Sequence, residues 1–409
     1  MKRTILHVDI NSYFATVLQQ ENPFLRDKPI AILKAGGRTC VIAASKEAKK
    51  FGVKVGERIK DARKLCPQLL GIPASFERYL DTTKRLQKIF QTIAPDVYIY
   101  SLDEAFIDIS DCTQHLYKDP HLLARHIQER IAQELGPVVT ANVGIGTNRL
   151  LAKLASEIAP KGTVLEINSD NVDSYLASIS FDSICGIGYR LSKKLERMGV
   201  TNPYQIRFYS EDDLAKNFGP YWAKELLKIA YGEEPELLDR IDTPKKPYMQ
   251  SVGRSITGFR LYDKPEEIRS IIYNLCLEII DKVRSMKLAG RHIHLSFTGQ
   301  NMYWSDHITL KAPINHAHDL LEHVGKLYEH WPAHFKIIRF SVRLSLLEPF
   351  AQHQLLPSWQ HKEALQTALD HIHAKYGLFT IHSAAVSKNN LIRPEVTGFL
   401  GDRTYQLQQ

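Results

Sequence analysis

Two hydrophobic periods divide this chain. Residues 4–8, 30–33 and 39–43 are short apolar, β-favouring runs, while residues 12–20, 46–51 and 76–93 carry apolar positions at helical spacing. Gly52 and Pro95 close the last two helical stretches. Residues 98–101 and 105–109 read as a hairpin with Asp103 and Glu104 at its tip. A helix over 121–135, a strand over 138–145 and a helix over 148–158 follow. The pattern predicts an α+β layer, an antiparallel sheet covered by helices.

Residues 170–232 read as short helices broken by turn signals. Within them, Ile184-Cys185-Gly186-Ile187-Gly188 precedes a helical stretch over 190–198, the form of a helix–hairpin–helix. Such a turn aims backbone N–H groups at a phosphate, although a bare Gly-x-Gly is more often a plain inter-helix turn. Residues 233–247 hold three prolines and many charges, the best linker candidate. Beyond it, strands are predicted over 252–260, 291–298, 308–311 and 336–346, with helices over 266–286 and 317–328. These make a second α+β unit. A Gln/His/Pro stretch and a helix over 362–376 end the pattern.

Composition narrows the class. A chain of 409 residues exceeds one core, so two to four domains are expected. A hydrophobic share of 44% and a charged share of 24% are those of a globular protein. The absence of a signal-like start and of a long apolar run predicts cytoplasmic residence and no membrane partner. The cysteines at 40, 66, 112, 185 and 276 form no Cys-x-x-Cys pair, which argues against a zinc site or a disulfide framework. Net charge is +8, and ten Lys or Arg against three acids fall between Lys34 and Lys64. A charge run is usually a solvated face; this local excess points to phosphate.

The candidate chemistry is carboxylate. Asp9 ends the first apolar strand and Asp103-Glu104 sit at the hairpin tip. An isolated Asp at a strand end is more often a turn residue. Three carboxylates brought together from neighbouring strands need a cation, and two divalent ions roughly 3.5–4 Å apart would clamp an in-line phosphoryl transfer. Mg²⁺ suits a site of few hard oxygen ligands completed by substrate phosphates.

Asp-Ile-Asn-Ser-Tyr-Phe-Ala-Thr-Val at 9–17 and Ser-Leu-Asp-Glu-Ala-Phe-Ile-Asp at 101–108 resemble the Y-family DNA polymerases, the translesion enzymes of the DinB/UmuC superfamily. The likeness runs from about residue 4 to 349, and the Asp-x-Asn-Ser-aromatic-aromatic form is more similar to the UmuC branch. The resemblance implies a ferredoxin-like palm (1–21 and 76–165) with small inserted fingers (22–75). A helical thumb with the helix–hairpin–helix (166–232) follows. Past the linker come a separate α+β little finger (248–349) and a tail (350–409).

The same resemblance implies roles for residues. Asp9, Asp103, Glu104 and the Ile10 carbonyl would hold two Mg²⁺ ions. Tyr13 and Phe14 would lie beneath the incoming sugar, with Phe14 as the ring that excludes a 2′-OH. Lys46 and Lys49, where the DinB branch has Tyr and Arg, and Lys161, in an altered Ala-Pro-Lys-Gly element, would meet the triphosphate. Leu18 stands where the family has Glu. Gly186, Gly188, Lys193, Lys194, Arg254, Lys287 and Arg291 would bind DNA, with Lys282 and Arg284 adding to a basic cluster beside the last two. Gln354, Leu355 and Leu356 form a degenerate match to a sliding-clamp peptide. The implied protein is a monomeric, low-fidelity, template-directed DNA polymerase of lesion bypass and repair, using primer–template DNA and deoxynucleoside triphosphates. Two alternatives stay open: another palm-domain nucleotidyltransferase, such as a nucleotidyl cyclase, and a weakly active or non-catalytic DNA- or clamp-binding scaffold.

Overall fold

Strand β1 (Ile5–Ile10) contributes to two cores at once. Leu6, Val8 and Ile10 join one core, whereas Ile5 joins another with Phe106. A strand buried on both faces reads as an unbroken apolar run, which is how this segment is written. The computed structural model describes residues 3–33, 40–111, 119–239, 249–350, 357–377 and 380–381. These fall into two compact units that part between Thr243 and Pro244.

In the first unit, β1 is followed by α1 (Tyr13–Glu21), β2 (Ile30–Leu33), β3 (Val41–Ala44), α2 (Lys46–Lys50), α3 (Ile59–Leu65) and β4 (Leu70–Pro73). The three strands β3-β2-β4 form a small sheet of their own, β2 running antiparallel to β3 and parallel to β4. Next come α4 (Phe76–Gln91), β5 (Val97–Ile99), β6 (Glu104–Asp108), α5 (Pro120–Leu135), β7 (Ala141–Gly146), α6 (Arg149–Ile158) and β8 (Val164–Ile167). The main sheet has the order β5-β6-β1-β7-β8. The series β1-α4-β5-β6-α5-β7 in this order is the ferredoxin-like palm, and the small sheet with its helices is the inserted fingers. Helices α4 and α5 pack Leu86, Ile89, Phe90, Leu123, Ile127 and Ile131 against one face of β1. Helix α6 covers the other with Leu150, Leu151 and Leu154.

The Gly144-x-Gly146 pair of β7 sets how closely α6 approaches. A Cβ on Gly144 would lie 1.9 Å from the Ala152 carbonyl oxygen, and one on Gly146 would lie 2.4 Å from the Ala152 nitrogen. The sequence reading of this segment as strand, turn and helix holds, with Asn148 capping α6 through the Leu151 amide. The palm sheet is not purely antiparallel as expected, because β8 joins β7 in parallel. The strand expected from residue 138 begins at Ala141, since the Val139 amide closes a turn onto Gly136 O.

The thumb contains α7 (Val172–Ser178), α8 (Tyr189–Arg197), α9 (Glu211–Phe218) and α10 (Pro220–Ala230). A short α11 (Glu236–Asp239) lies in the stretch expected to be linker. Its start is tied down: Arg149 Nη1 donates to Glu234 at 2.8 Å and Leu238 is fully buried. Ionic and apolar contacts outweigh the Pro-rich composition there.

The second unit, the little finger, runs β9 (Ser251–Tyr262), α12 (Pro265–Ser285), β10 (Leu288–Thr298), β11 (Tyr303–Ile314), α13 (Ala317–Glu329), β12 (Ile337–Ser345), β13 (Glu348–Pro349) and α14 (Pro357–Tyr376). Its sheet is β11-β10-β12-β9, antiparallel throughout. Ile293, Leu295, Phe297, Phe340, Val342 and Leu344 form its core with α12 and α13. β11 is far longer than the four residues expected. Among the described residues no helix is long and apolar enough to cross a membrane.

Candidate active site

Register brings the acidic motifs together. In the antiparallel β1–β6 pair, Asp9 faces Glu104 and His7 faces Phe106, so all four point to the α6 side of the sheet. The Ile10 amide donates to the Asp103 carbonyl at 2.9 Å, which anchors the hairpin tip beside the end of β1. Ser101 Oγ donates to Asp103 Oδ1 at 2.5 Å. The carbonyl of Ile10 belongs to the same corner; the Ile10 side chain is buried.

The three carboxylates differ electrostatically. Burial, and then the charges of Glu104 and Asp103, push Asp9 up to about 7. Asp103 is also raised by burial, against the Ser101 hydrogen bond and with Glu104 adding repulsion. For Glu104, burial acts upward but is outweighed by the His7 hydrogen bond and the Lys153 charge, leaving it at about 2. Among the described residues, no three His, Cys, Asp or Glu side chains already form a metal cage. The donor set nevertheless fits Mg²⁺, which is held by one or two carboxylates and by substrate phosphates rather than by a complete protein cage. The crowding that raises Asp9 is what a bound cation would relieve.

Beside this corner opens a cleft of about 590 Å³ whose walls include Ser12, Arg26, Lys46, Lys49, Lys50 and Lys161. Lys49 Nζ donates to Ser12 Oγ at 3.1 Å, and its pKa is lowered by desolvation and then by Lys161. The three lysines expected to meet a triphosphate therefore converge. Ser45 caps α2 through the Ala48 amide, which points Lys46 and Lys49 from one short helix. Ser12 holds left-handed backbone geometry (φ 48°), the turn between β1 and α1.

The aromatic pair lies apart from the cleft lining. Tyr13 is buried in the core, its hydroxyl donating to the Tyr79 carbonyl at 2.6 Å. Its ring is sealed off, so only its backbone can face a ligand, which corrects the expectation of a nucleotide-contacting side chain. Phe14 is half-buried and stands edge-on to Tyr79 at 4.6 Å between ring centroids.

The residues expected to bind DNA are scattered in environment. Gly186 has φ 95°, which only glycine adopts without strain, and Gly188 caps α8. Lys193 pairs with Glu196 at 2.6 Å, while Lys194 bonds the Asn217 carbonyl. Lys287 is exposed in a left-handed turn, and Arg291 lies 3.9 Å from Glu348. Arg254 is a correction. It points to the helix-covered face of the little-finger sheet, where its side chain is 11% exposed and pairs with Glu278 at 3.4 Å. The basic cluster also dissolves: Lys282 is buried, and Arg284 turns inward to Glu363 and Asp370 of α14. Gln354, Leu355 and Leu356 lie outside the described residues.

Sequence reasoning passed over two groups. Lys153 and His7 contact Glu104, and Ser156 holds the far side of the His7 ring. Arg339, Arg343, His307 and Lys311 stand exposed on strands of the second sheet. The alternation from Arg339 to Ser345 was the available signal, because its polar positions must share the uncovered face.

Comparison with known proteins shows the family. Residues 8–157 match the model of the impB/mucB/samB family, and residues 249–356 match that family's C-terminal domain. The chain is 30% identical to a DNA polymerase IV of Moorella thermoacetica over 390 residues, covering 93% of this chain and 95% of the relative. It is 28% identical to DNA polymerase IV 2 of Bacillus subtilis, covering 94% of each. In fold it is similar to a Y-family DNA polymerase chimera, with a TM-score of 0.72 at 22% identity over 85% of this chain and 99% of that one.

Proposed function

The chain belongs to the Y-family DNA polymerases, and from that premise we propose that it adds deoxynucleotides to a primer 3′-OH by two-metal phosphoryl transfer, in lesion bypass. The observation that carries the reading is the β1–β6 register, which sets Asp9 opposite Glu104 and ties Asp103 to the end of β1 beside a lysine-lined cleft.

Asp9, Asp103, Glu104 and the Ile10 carbonyl would hold the divalent ions, which when bound activate the primer hydroxyl and stabilise charge on the leaving pyrophosphate. The chain's own residues do the positioning. Lys46, Lys49 and Lys161 neutralise the triphosphate; as ammonium groups they act as point charges and lack a guanidinium's fork. Phe14 limits the space beneath the sugar. The glycine turn Gly186–Gly188 and the uncovered little-finger face, with Arg339 and Arg343, supply phosphate contacts whose strength falls with salt. Among the described residues the fingers have one three-stranded sheet and two short α-helices, which place few walls around a nascent base pair and so suit damaged templates. Gln354-Leu355-Leu356 supports docking to a sliding clamp.

Primer extension on undamaged and lesion-bearing templates tests this. Wild-type protein is expected to extend both, and Asp103→Ala neither. Extension by the Asp103 variant at the wild-type rate overturns the metal assignment. Arrest of the wild type at every lesion tried overturns the bypass role alone.

A further inference from the structure

We propose that Lys153 and His7 clamp Glu104 by a single oxygen, so that its other oxygen is presented to the metal and primer end of the site. The proposal rests on the metal reading above and assigns positioning roles to residues outside it.

The geometry is one-sided. Lys153 Nζ and His7 Nε2 both contact Oε2 of Glu104, His7 at 3.2 Å. Neither contacts Oε1. The clamp is itself held in place. Lys153 Nζ lies 5.0 Å from the centroid of the Tyr100 ring, with its side chain 16% exposed. The His7 ring is 1% exposed, packs against Phe106 at 4.6 Å, and has Nδ1 2.6 Å from Ser156 Oγ.

The donors can be assigned. An ionised Glu104 only accepts, so His7 must donate through Nε2–H, which leaves Nδ1 as an acceptor 2.6 Å from Ser156 Oγ, whose one hydroxyl proton also has the Lys153 carbonyl 2.8 Å away. Lys153 and Ser156 are three residues apart on α6 and so share one face of the helix. Their reach to β1 and β6 depends on the close approach that Gly144 and Gly146 allow.

A carboxylate free to rotate offers either oxygen and several geometries to a cation. One pinned through Oε2 offers one oxygen, Oε1, in one orientation. Partners behind a ligand fix its orientation in this way, and losing them commonly costs about 10- to 100-fold in metal affinity or activity. Here the partner is a cation, so its removal has two opposite effects. It loosens Glu104, which slows the chemistry. It also removes a positive charge beside the metal site, which favours metal binding.

The test uses the full chain with a dideoxy-terminated primer–template and a matched deoxynucleotide, with Mn²⁺ as the probe followed by electron paramagnetic resonance. Single-turnover rates are measured in parallel on an extendable primer. Lys153→Met is expected to bind Mn²⁺ as tightly as wild type or several-fold tighter, while its rate falls about 10- to 100-fold. Lys153→Arg is expected to recover most of the rate, and His7→Gln, which keeps one hydrogen bond, to lie between. Melting temperatures identify a folding defect. A rate unchanged in Lys153→Met overturns the clamp. So does a rate that falls together with Mn²⁺ affinity and melting temperature, the mark of a merely structural residue. Absence of Mn²⁺ binding by wild type overturns the metal reading itself, a result distinct from either.

Discussion

The palm and the little finger are built from the same series of elements, β-α-β-β-α-β, and differ in how many sheet faces they cover. The palm runs β7-β1-β6-β5 with helices on both sides, α4 and α5 on one and α6 on the other. The little finger runs β11-β10-β12-β9 with α12 and α13 filling one face. Its other face carries Arg339, Arg343, His307 and Thr309, all exposed. A doubly covered sheet can desolvate carboxylates at its end and shift their proton affinity. A sheet covered once cannot do that, but it can present cations to a large anionic surface. Under the proposed function, chemistry and grip are separated by layer count.

The sharpest way to break this comparison is to remove the palm carboxylates. Asp9→Ala, Asp103→Ala and Glu104→Ala are each expected to slow nucleotide addition by about a thousandfold or more, that is at least about 4 kcal/mol of barrier. Primer–template affinity should stay within about twofold, because phosphate neutralisation supplies it. Extension assays beside a binding titration check both halves. A parallel loss of affinity would show that the palm site also carries the grip.

The ribose gate is expected to come next in size. Phe14→Val should raise the ratio of ribo- to deoxynucleotide kcat/KM roughly a hundredfold, since a hydroxyl-sized clash is relieved. If Phe14 is core alone, the ratio stays fixed and the melting temperature drops as a cavity opens, at a cost of about 1–3 kcal/mol for this smaller truncation.

On the other sheet, Arg339→Glu with Arg343→Glu is expected to weaken DNA binding about tenfold to a hundredfold. The slope of log affinity against log salt should become shallower by about 2, one per lost phosphate contact. The rate at saturating DNA should not change. A fall in that rate with unaltered affinity would assign the open face to chemistry.

A contrast in stability alone sets two glycines side by side. Gly144→Ala forces a Cβ to 1.9 Å from a backbone oxygen and should cost about 3 kcal/mol or more. Gly253→Ala, on the uncovered sheet, meets nothing nearer than 3.4 Å, the flexible Arg343 side chain, and should be almost neutral. Melting temperatures of the two variants read the difference directly.

What could be read from the amino-acid sequence followed the same division. The palm elements around the carboxylates were legible because their apolar periods are uninterrupted: β1, α1, α4, β6 and α6 lie within two residues of expectation. The carboxylates themselves were legible as motifs. β8 escaped because it has four residues and joins the sheet from the far side of α6. β11 was legible only over 308–311, because exposure along the whole strand alternates between exposed and half-buried, which leaves little apolar contrast. Charged residues misled most. Arg254 and Arg284 look like surface cations, and their inward turn depends on Glu278, Glu363 and Asp370, partners far along the chain. Lys153 was hidden for the same reason, since a lysine on an amphipathic helix is ordinarily solvated.

The contact between β7 and α6 has a further meaning for how the palm comes apart. At Gly144 and Gly146 strand and helix meet backbone to backbone, with no side chain between them to re-pack. Such a seam has no intermediate spacing; it is closed or it is open. The amides of β7 and α6 should therefore exchange with solvent as one cooperative block, at the slow end of the molecule's range. Lys153 and Ser156 of α6 reach across to Glu104 of β6 and His7 of β1 beside that seam, so the acidic corner should keep its shape up to the temperature at which the block opens, and then lose it in a single step.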